Sequence, residues 1–286
     1  MPECRVCFRH CSLREGQIGF CGARMCKNGR ITAANYGKIT SMALDPIEKK
    51  PLNRFHSGSL ILSIGSYGCN LRCPFCQNHE ISWDVPAFEY ANSAKMISPE
   101  ELLATALYYK DTGNIGIAYT YNEPLIGYEF VRDSAKLIHE HGMLNVLVTN
   151  GTAELEILRE IAPYMDAMNI DLKGFTDHYY NDILLGNRRM VMDFIQEAVK
   201  ICHVELTTLI VPGENDSAEE MEKLSSWIAG LKDVFGGLDG TDIPLHVSRF
   251  FPRFQMTDRK ATDISRVYEL TEVARIRLRY VYTGNC

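Results

Sequence analysis

An α/β fold built around a parallel sheet is predicted by three observations. From Leu60 onward, short β-rich runs alternate six times with amphipathic helical stretches. The chain has 286 residues, 46% hydrophobic and 23% charged, enough to bury a full-sized core. No internal repeat, low-complexity tract or long linker interrupts the alternation.

The first 26 residues hold five cysteines. Lys27 to Ser59 follows, a stretch punctuated by Gly, Asn and Asp that contains Asp45-Pro46 and Lys50-Pro51. X-Pro steps disfavour helix, so this stretch predicts short hairpin-like strands and an ordered extended arm. Residues 1–58 are therefore read as a cysteine-rich segment with its arm, and residues 59–286 as the α/β domain.

Strands are expected at Leu60–Gly65, Ile115–Thr120, Leu144–Thr149, Ala167–Leu172, Val204–Val211 and Leu245–Phe250. The helical stretches between them are Pro99–Lys110, Gly127–His141, Glu154–Tyr164, Met190–Cys202 and Ala218–Leu231. The last opens with Ser217 and Glu220 at capping-box spacing. Right-handed crossovers on a parallel sheet follow, and an open sheet covered on both faces and a closed or partial barrel both satisfy the pattern.

Thirty Lys and Arg against 36 Asp and Glu leave a net charge of −6, so no broad basic field attracts nucleic acid or an anionic membrane. The first residues show no basic region followed by an apolar run, and no stretch approaches a membrane span. A cytoplasmic protein is expected.

Ten cysteines then become the informative feature, eight of them within the first 76 residues. A disulfide framework needs an oxidising compartment and is usual in much shorter chains, so clustered cysteines here read as ligands. After the first strand stands Gly68-Cys69-Asn70-Leu71-Arg72-Cys73-Pro74-Phe75-Cys76. Three thiols at this spacing can converge on one face of a cubic 4Fe-4S cluster, which ordinarily takes four, and leave one iron open. The loop lies at the carboxyl end of a strand, where barrel active sites gather. Zinc is the competitor, with His79 as its fourth ligand. Cys4, Cys7, Cys11 and Cys21 can close a four-thiolate site of their own, zinc or a second cluster, with Cys26 as a fifth candidate. Spacing does not choose between these metals.

The C-x3-C-x2-C motif, with aromatic Phe75 directly before its third cysteine, resembles that of the radical S-adenosylmethionine superfamily. Within it the chain looks most like relatives of pyruvate formate-lyase-activating enzyme, and above all the radical enzyme of the AmmeMemoRadiSam system. That closer likeness rests on Cys4-x2-Cys7-x3-Cys11 to Gly19-Phe20-Cys21-Gly22, on Asp45-Pro46-Ile47-Glu48-Lys49-Lys50-Pro51-Leu52, and on His246-Val247-Ser248-Arg249-Phe250-Phe251-Pro252. It covers nearly the whole chain.

The resemblance implies a partial (β/α)6 TIM-like barrel that works anaerobically. It would carry a 4Fe-4S cluster on Cys69, Cys73 and Cys76 and cleave S-adenosylmethionine to a 5′-deoxyadenosyl radical that abstracts hydrogen. It implies that Phe75 and the turn Tyr121-Asn122-Glu123-Pro124 belong to the cofactor site, the turn receiving the methionine amino group. Thr149 and Asn150 would line the same site, and Asp171 and Lys173 would meet the carboxylate. His246 and Arg249, at the end of the sixth strand, would meet adenine and ribose. Relatives carry an acid before Thr-Asn-Gly that helps hold a monovalent cation, and this chain departs from them with Val148.

Implied partners are a one-electron donor such as flavodoxin or ferredoxin, and either a glycyl radical enzyme or the AmmeMemoRadiSam companion proteins. The Asp45–Phe55 arm is expected to roof the barrel mouth, turning its Lys and Arg toward substrate. An electron-transfer or zinc-binding adaptor without chemistry of its own is the rival, and the cofactor-like segments argue against it.

Overall fold

The computed structural model describes residues 1–84, 89 and 94–286. β1 (Arg24–Lys27) and β2 (Arg30–Ala33) form an antiparallel hairpin, followed by β3 (Lys38–Ile39) and β4 (Ser41–Pro46). The main alternation then runs β5 (Leu60–Gly65), α1 (His79–Ser82), β6 (Lys95–Met96), α2 (Pro99–Tyr108), β7 (Asn114–Tyr119), α3 (Tyr128–Glu140), β8 (Leu144–Thr149) and α4 (Leu155–Ile161). It continues with β9 (Ala167–Asp171), α5 (Arg188–Ala198), β10 (His203–Ile210), α6 (Ala218–Ala229), β11 (Leu245–Arg249), α7 (Ile264–Arg275) and β12 (Val281–Gly284).

Eight strands make one open sheet in the order β12-β11-β10-β9-β8-β7-β5-β4. Every pairing from β5 to β12 is parallel, and only β4 runs against its neighbour, with Ser41 opposite Gly65 and Pro46 opposite Leu60. The expected α/β class and six parallel strands are present. A seventh parallel strand, β12, and a helix before it, α7, extend the alternation. The division expected at residues 58 and 59 falls between β4 and β5, which pair over six residues.

Period-two alternation along these strands produces two apolar layers. Outward residues such as Leu62, Ile117, Leu147, Met168, Leu206 and Val247 pack under the helices in the main core. Inward, Ile61, Ala118, Val146 and Ala167 form a small separate cluster whose remaining buried members, Ile47 and Leu52, come from the arm.

The arm is thus the floor of the barrel, correcting its expected place as a roof. It leaves β4 at the end where the parallel strands begin, and burying Ile47 and Leu52 completely draws it inside. Lys50, also buried, is held by Asp45 at 2.9 Å, and the Tyr121 hydroxyl donates to the same carboxylate at 2.8 Å. Pro51 O accepts from Asn169 Nδ2 at 2.8 Å, and the Arg54 guanidinium lies 3.8 Å from the Tyr280 ring centroid.

Caps fix where helices begin. Ser98 and Glu101 form a reciprocal capping box with Pro99 in the first turn of α2. Ser217 accepts from Glu220 N at 3.1 Å as expected, but the Glu220 carboxylate turns to Phe175 N at 2.5 Å and ties α6 to the loop after β9. No helix among the described residues is long and apolar enough to cross a membrane.

The arm depends on one carboxylate. Glu205, fully buried, accepts from Asn53 N at 3.0 Å, Arg54 N at 2.7 Å, His203 Nε2 at 3.0 Å and His246 Nε2 at 2.6 Å. Burial opposes ionisation, yet these donors outweigh it and hold the acid down at about 2. Glu205→Ala should cost about 3 kcal/mol or more, measured by denaturant unfolding, because it strands buried donors. Since the folded-state value is depressed, the stabilisation is complete above the ordinary 4.5 and is lost as pH falls through about 2. The stability gap between wild type and Glu205→Gln should therefore narrow as pH is lowered from 4.5, and a gap independent of pH would refute an ionised Glu205.

Candidate active site

The cysteine loop leaves β5 through Gly68, which adopts φ +95°. A Cβ there would stand 2.6 Å from Cys21 O, so this turn against the amino-terminal segment requires glycine. Cys73 is buried, and Cys69 and Cys76 are half-buried. Cys69 Sγ lies 3.5 Å from Leu71 N and 3.7 Å from Asn150 Nδ2. Burial pushes all three thiols up, Cys73 to about 12, so the loop favours neutral thiols until a metal takes the place of their protons.

The donor set fits an iron–sulfur cluster better than zinc. His79 is turned to Asp84 at 3.1 Å and stacked on Phe254 at 4.1 Å between centroids. Among the described residues no three His, Cys, Asp or Glu side chains gather at the spacing of a single ion. A cluster needs no such point, because it takes each thiolate on a separate iron.

Two adjacent strand ends are wired to this loop. Asn122 accepts from Ser66 N at 2.9 Å and donates to Gly68 O at 3.0 Å. The buried Glu123 carboxylate accepts from Thr149 Oγ1 at 2.7 Å, Asn150 N at 2.8 Å and Leu125 N at 3.1 Å. Burial nonetheless pushes Glu123 up to about 7. Asn150 Nδ2 donates to Asn70 Oδ1 at 3.0 Å, and Asn70 Nδ2 donates to Thr152 Oγ1 at 2.7 Å. Tyr121 turns the chain at φ +70°, its Cβ close over Gly65, where a side chain would meet it at 2.9 Å.

At the end of β9, Lys173 Nζ lies 2.6 Å from Asp171. Burial would discharge this amine, but the Asp171 carboxylate outweighs it and raises it above the ordinary lysine value. Lys173 N donates to the buried Tyr180 hydroxyl at 3.0 Å, within a π-helical turn, Tyr179–Ile183. Tyr121, Asn122, Glu123, Thr149, Asn150, Asp171 and Lys173 thus stand with the three cysteines at one end of the sheet.

The other expected residues lie differently. His246 is the second residue of β11, not its end, about 10 Å below the strand's last residue. Glu205 holds its ring there, and the ring stacks on Tyr282 at 5.3 Å between centroids. Arg249 ends β11 and donates from Nε to Thr262 O at 2.7 Å. Phe75 is buried edge-on against Phe250, 6.1 Å between centroids. Cys4, Cys7, Cys11 and Cys21 line one cavity behind the loop, while Cys26 faces Glu15 at 3.8 Å. Asn70, Thr152, Tyr180 and Glu205 were not expected: Asn70 and Thr152 meet across 82 residues and Glu205 reaches Asn53 across 152, whereas Tyr180 meets Lys173 only seven residues before it.

Residues 63–225 match the Radical SAM superfamily. The chain is 39% identical over 289 residues to an uncharacterized protein of Methanocaldococcus jannaschii, covering 99% of this chain and 81% of that one. It is 30% identical over 171 residues to pyruvate formate-lyase-activating enzyme of Clostridium pasteurianum, covering 58% of this chain and 68% of that enzyme. Two solved structures share the fold. QueE from Escherichia coli has a TM-score of 0.53 at 15% identity, covering 87% of this chain and 93% of its own. Streptococcus suis SuiB bound to S-adenosylmethionine has a TM-score of 0.58 at 13% identity, covering 77% and 48%. The cysteine loop at the head of a parallel sheet and the match over more than half the chain agree, and this chain belongs to the radical SAM superfamily of enzymes.

Proposed function

We propose that the chain reductively cleaves S-adenosylmethionine at a 4Fe-4S cluster held by Cys69, Cys73 and Cys76, and abstracts hydrogen from a substrate handled with AmmeMemoRadiSam companion proteins. The observation that carries this reading is the three-thiol loop, hydrogen-bonded to the ends of β7 and β8, with the Lys173–Asp171 pair at the end of the next strand, β9. When bound, cluster and cofactor supply a one-electron cleavage that yields a hydrogen-abstracting carbon radical, fed by a donor of the flavodoxin or ferredoxin class.

The chain's own work is binding and orientation. Asn122 and Glu123 fix the turn that receives the methionine ammonium, with Thr149 and Asn150 as their anchors. Lys173 offers its charge to the methionine carboxylate while Asp171 aims it. Arg249 and Phe75 shape the side nearest β11, where adenine is accommodated. The arm closes the floor with packed apolar side chains and keeps water out from below. His246, held low by Glu205, belongs to that floor and reaches the cofactor only through what rests on it. The N-terminal thiols form a second metal site, open by donor chemistry to zinc or an iron–sulfur cluster.

Similarity to pyruvate formate-lyase-activating enzyme favours a second reading, activation of a glycyl radical enzyme. That similarity covers 58% of the chain, whereas the motifs behind the first reading run from Cys4 to Pro252. Reduced enzyme given either a glycyl radical enzyme or the companion proteins, with deuterium at the candidate carbon, separates the two by which mixture passes label into 5′-deoxyadenosine.

Cys73→Ala should abolish cleavage of S-adenosylmethionine, measured as 5′-deoxyadenosine released by dithionite-reduced protein; undiminished release would sink the assignment of the loop. Lys173→Met should weaken S-adenosylmethionine binding about tenfold or more, on the roughly 1.5–3 kcal/mol of a hydrogen bond to a charged group. Unchanged affinity in a cluster-replete variant would remove Lys173 from the cofactor site.

A further inference from the structure

Behind the active-site loop lies a second set of thiols. Cys4, Cys7, Cys11 and Cys21 line a single pocket. Tight turns hold them there: Cys4 N donates to Cys11 O at 2.9 Å, His10 N to Cys7 O at 3.2 Å, and Gly22 N to Gly19 O at 2.9 Å. A Cβ on Gly19 would lie 3.6 Å from Cys11 Sγ, so the chain passes close over that sulfur.

The ligand set is exclusive. Cys26 is buried elsewhere against Glu15, and His10, on the same cavity wall, is taken by Glu154 at 2.8 Å and Glu3 at 3.5 Å. All ten cysteines are free, so no disulfide consumes these four. Arg9 reaches from this cavity toward the active-site loop, donating to Asn70 O at 3.4 Å. Cys69 N donates to Cys21 O at 3.1 Å, so the two thiol sets share a backbone contact.

We propose that Cys4, Cys7, Cys11 and Cys21 bind a second iron–sulfur cluster, closed by four thiolates, and not a zinc ion. A zinc ion at about 2.3 Å from each sulfur draws its ligands into one small tetrahedron. Among the described residues no three ligand side chains are gathered so tightly, and the four thiols instead ring a cavity. The loop at Cys69, Cys73 and Cys76 has the same character. A cube satisfies it by placing each thiolate on its own iron. With all four irons capped by protein, the second cluster offers no place for S-adenosylmethionine.

The test is metal content with spectroscopy on the full chain, reconstituted anaerobically with iron and sulfide in the presence of zinc. Wild type should hold about eight irons and eight sulfides, two cubes' worth. The triple variant Cys69→Ser, Cys73→Ser, Cys76→Ser should keep about four irons, and its reduced paramagnetic signal should ignore S-adenosylmethionine. In Cys7→Ser, Cys21→Ser the surviving signal should respond to it. One zinc beside about four irons in wild type, or about four irons and no second metal, would overturn the proposal. Should the double variant fail to fold, wild type and the triple variant still decide. A second cluster present while neither signal responds to S-adenosylmethionine would count against the functional reading above and leave this proposal standing.

Discussion

The geometry of the active site rests on the buried carboxylate of Glu123. A carboxylate in an apolar interior is costly to ionise, and burial lifts Glu123 to about 7. Three donors from two strand-end turns are what make its presence tolerable. Because those donors belong to the turns after β7 and β8, satisfying the acid fixes the turns to one another. Asn122 and Asn150 pass the constraint on to the cysteine loop through Gly68 O, Asn70 Oδ1 and Cys69 Sγ. Loops that would otherwise move separately become one preorganised surface.

Below that surface the barrel is filled by a borrowed segment. Ala118, Val146 and Ala167 are small, and the space they leave is taken by Ile47 and Leu52. Carrying Lys50 in with them is possible because Asp45 and Tyr121 travel on neighbouring elements and meet it there. Tyr121 thereby joins floor to site: its backbone shapes the cofactor turn and its hydroxyl bonds the carboxylate that holds Lys50.

What could be read beforehand was local. Six strands announce themselves as apolar runs, and the cysteine loop by three thiols in eight residues. The arm was misplaced because Asp45, Glu48, Lys49, Lys50 and Arg54 look like a solvated edge, while the group that captures it, Glu205, lies 152 residues from Asn53. His246 sits lower on its strand than expected for the same reason, its partner being the same carboxylate 41 residues away. The Ser217–Glu220 pair signalled a helix start correctly, but Glu220 prefers Phe175 across the fold. In α7, buried Val267, Leu270, Thr271 and Ala274 keep helical spacing, yet Thr271 weakens the apolar signal. β12 is four residues long, below what periodicity can register.

β4 and β12 are the two edges of the sheet and do not pair with each other. The arm fastens them at one end only, running from Pro46 past Glu205 to the stack of Arg54 on Tyr280, just before β12 begins. At the other end the loop after β5 meets the loop after β11, Phe75 edge-on to Phe250 and Gln255 N donating to Pro74 O at 2.9 Å, so only loops draw the wall together at its rim. The aperture at the rim is therefore governed by the connecting loops, and chains with the same strands but different loops would admit guests of very different girth.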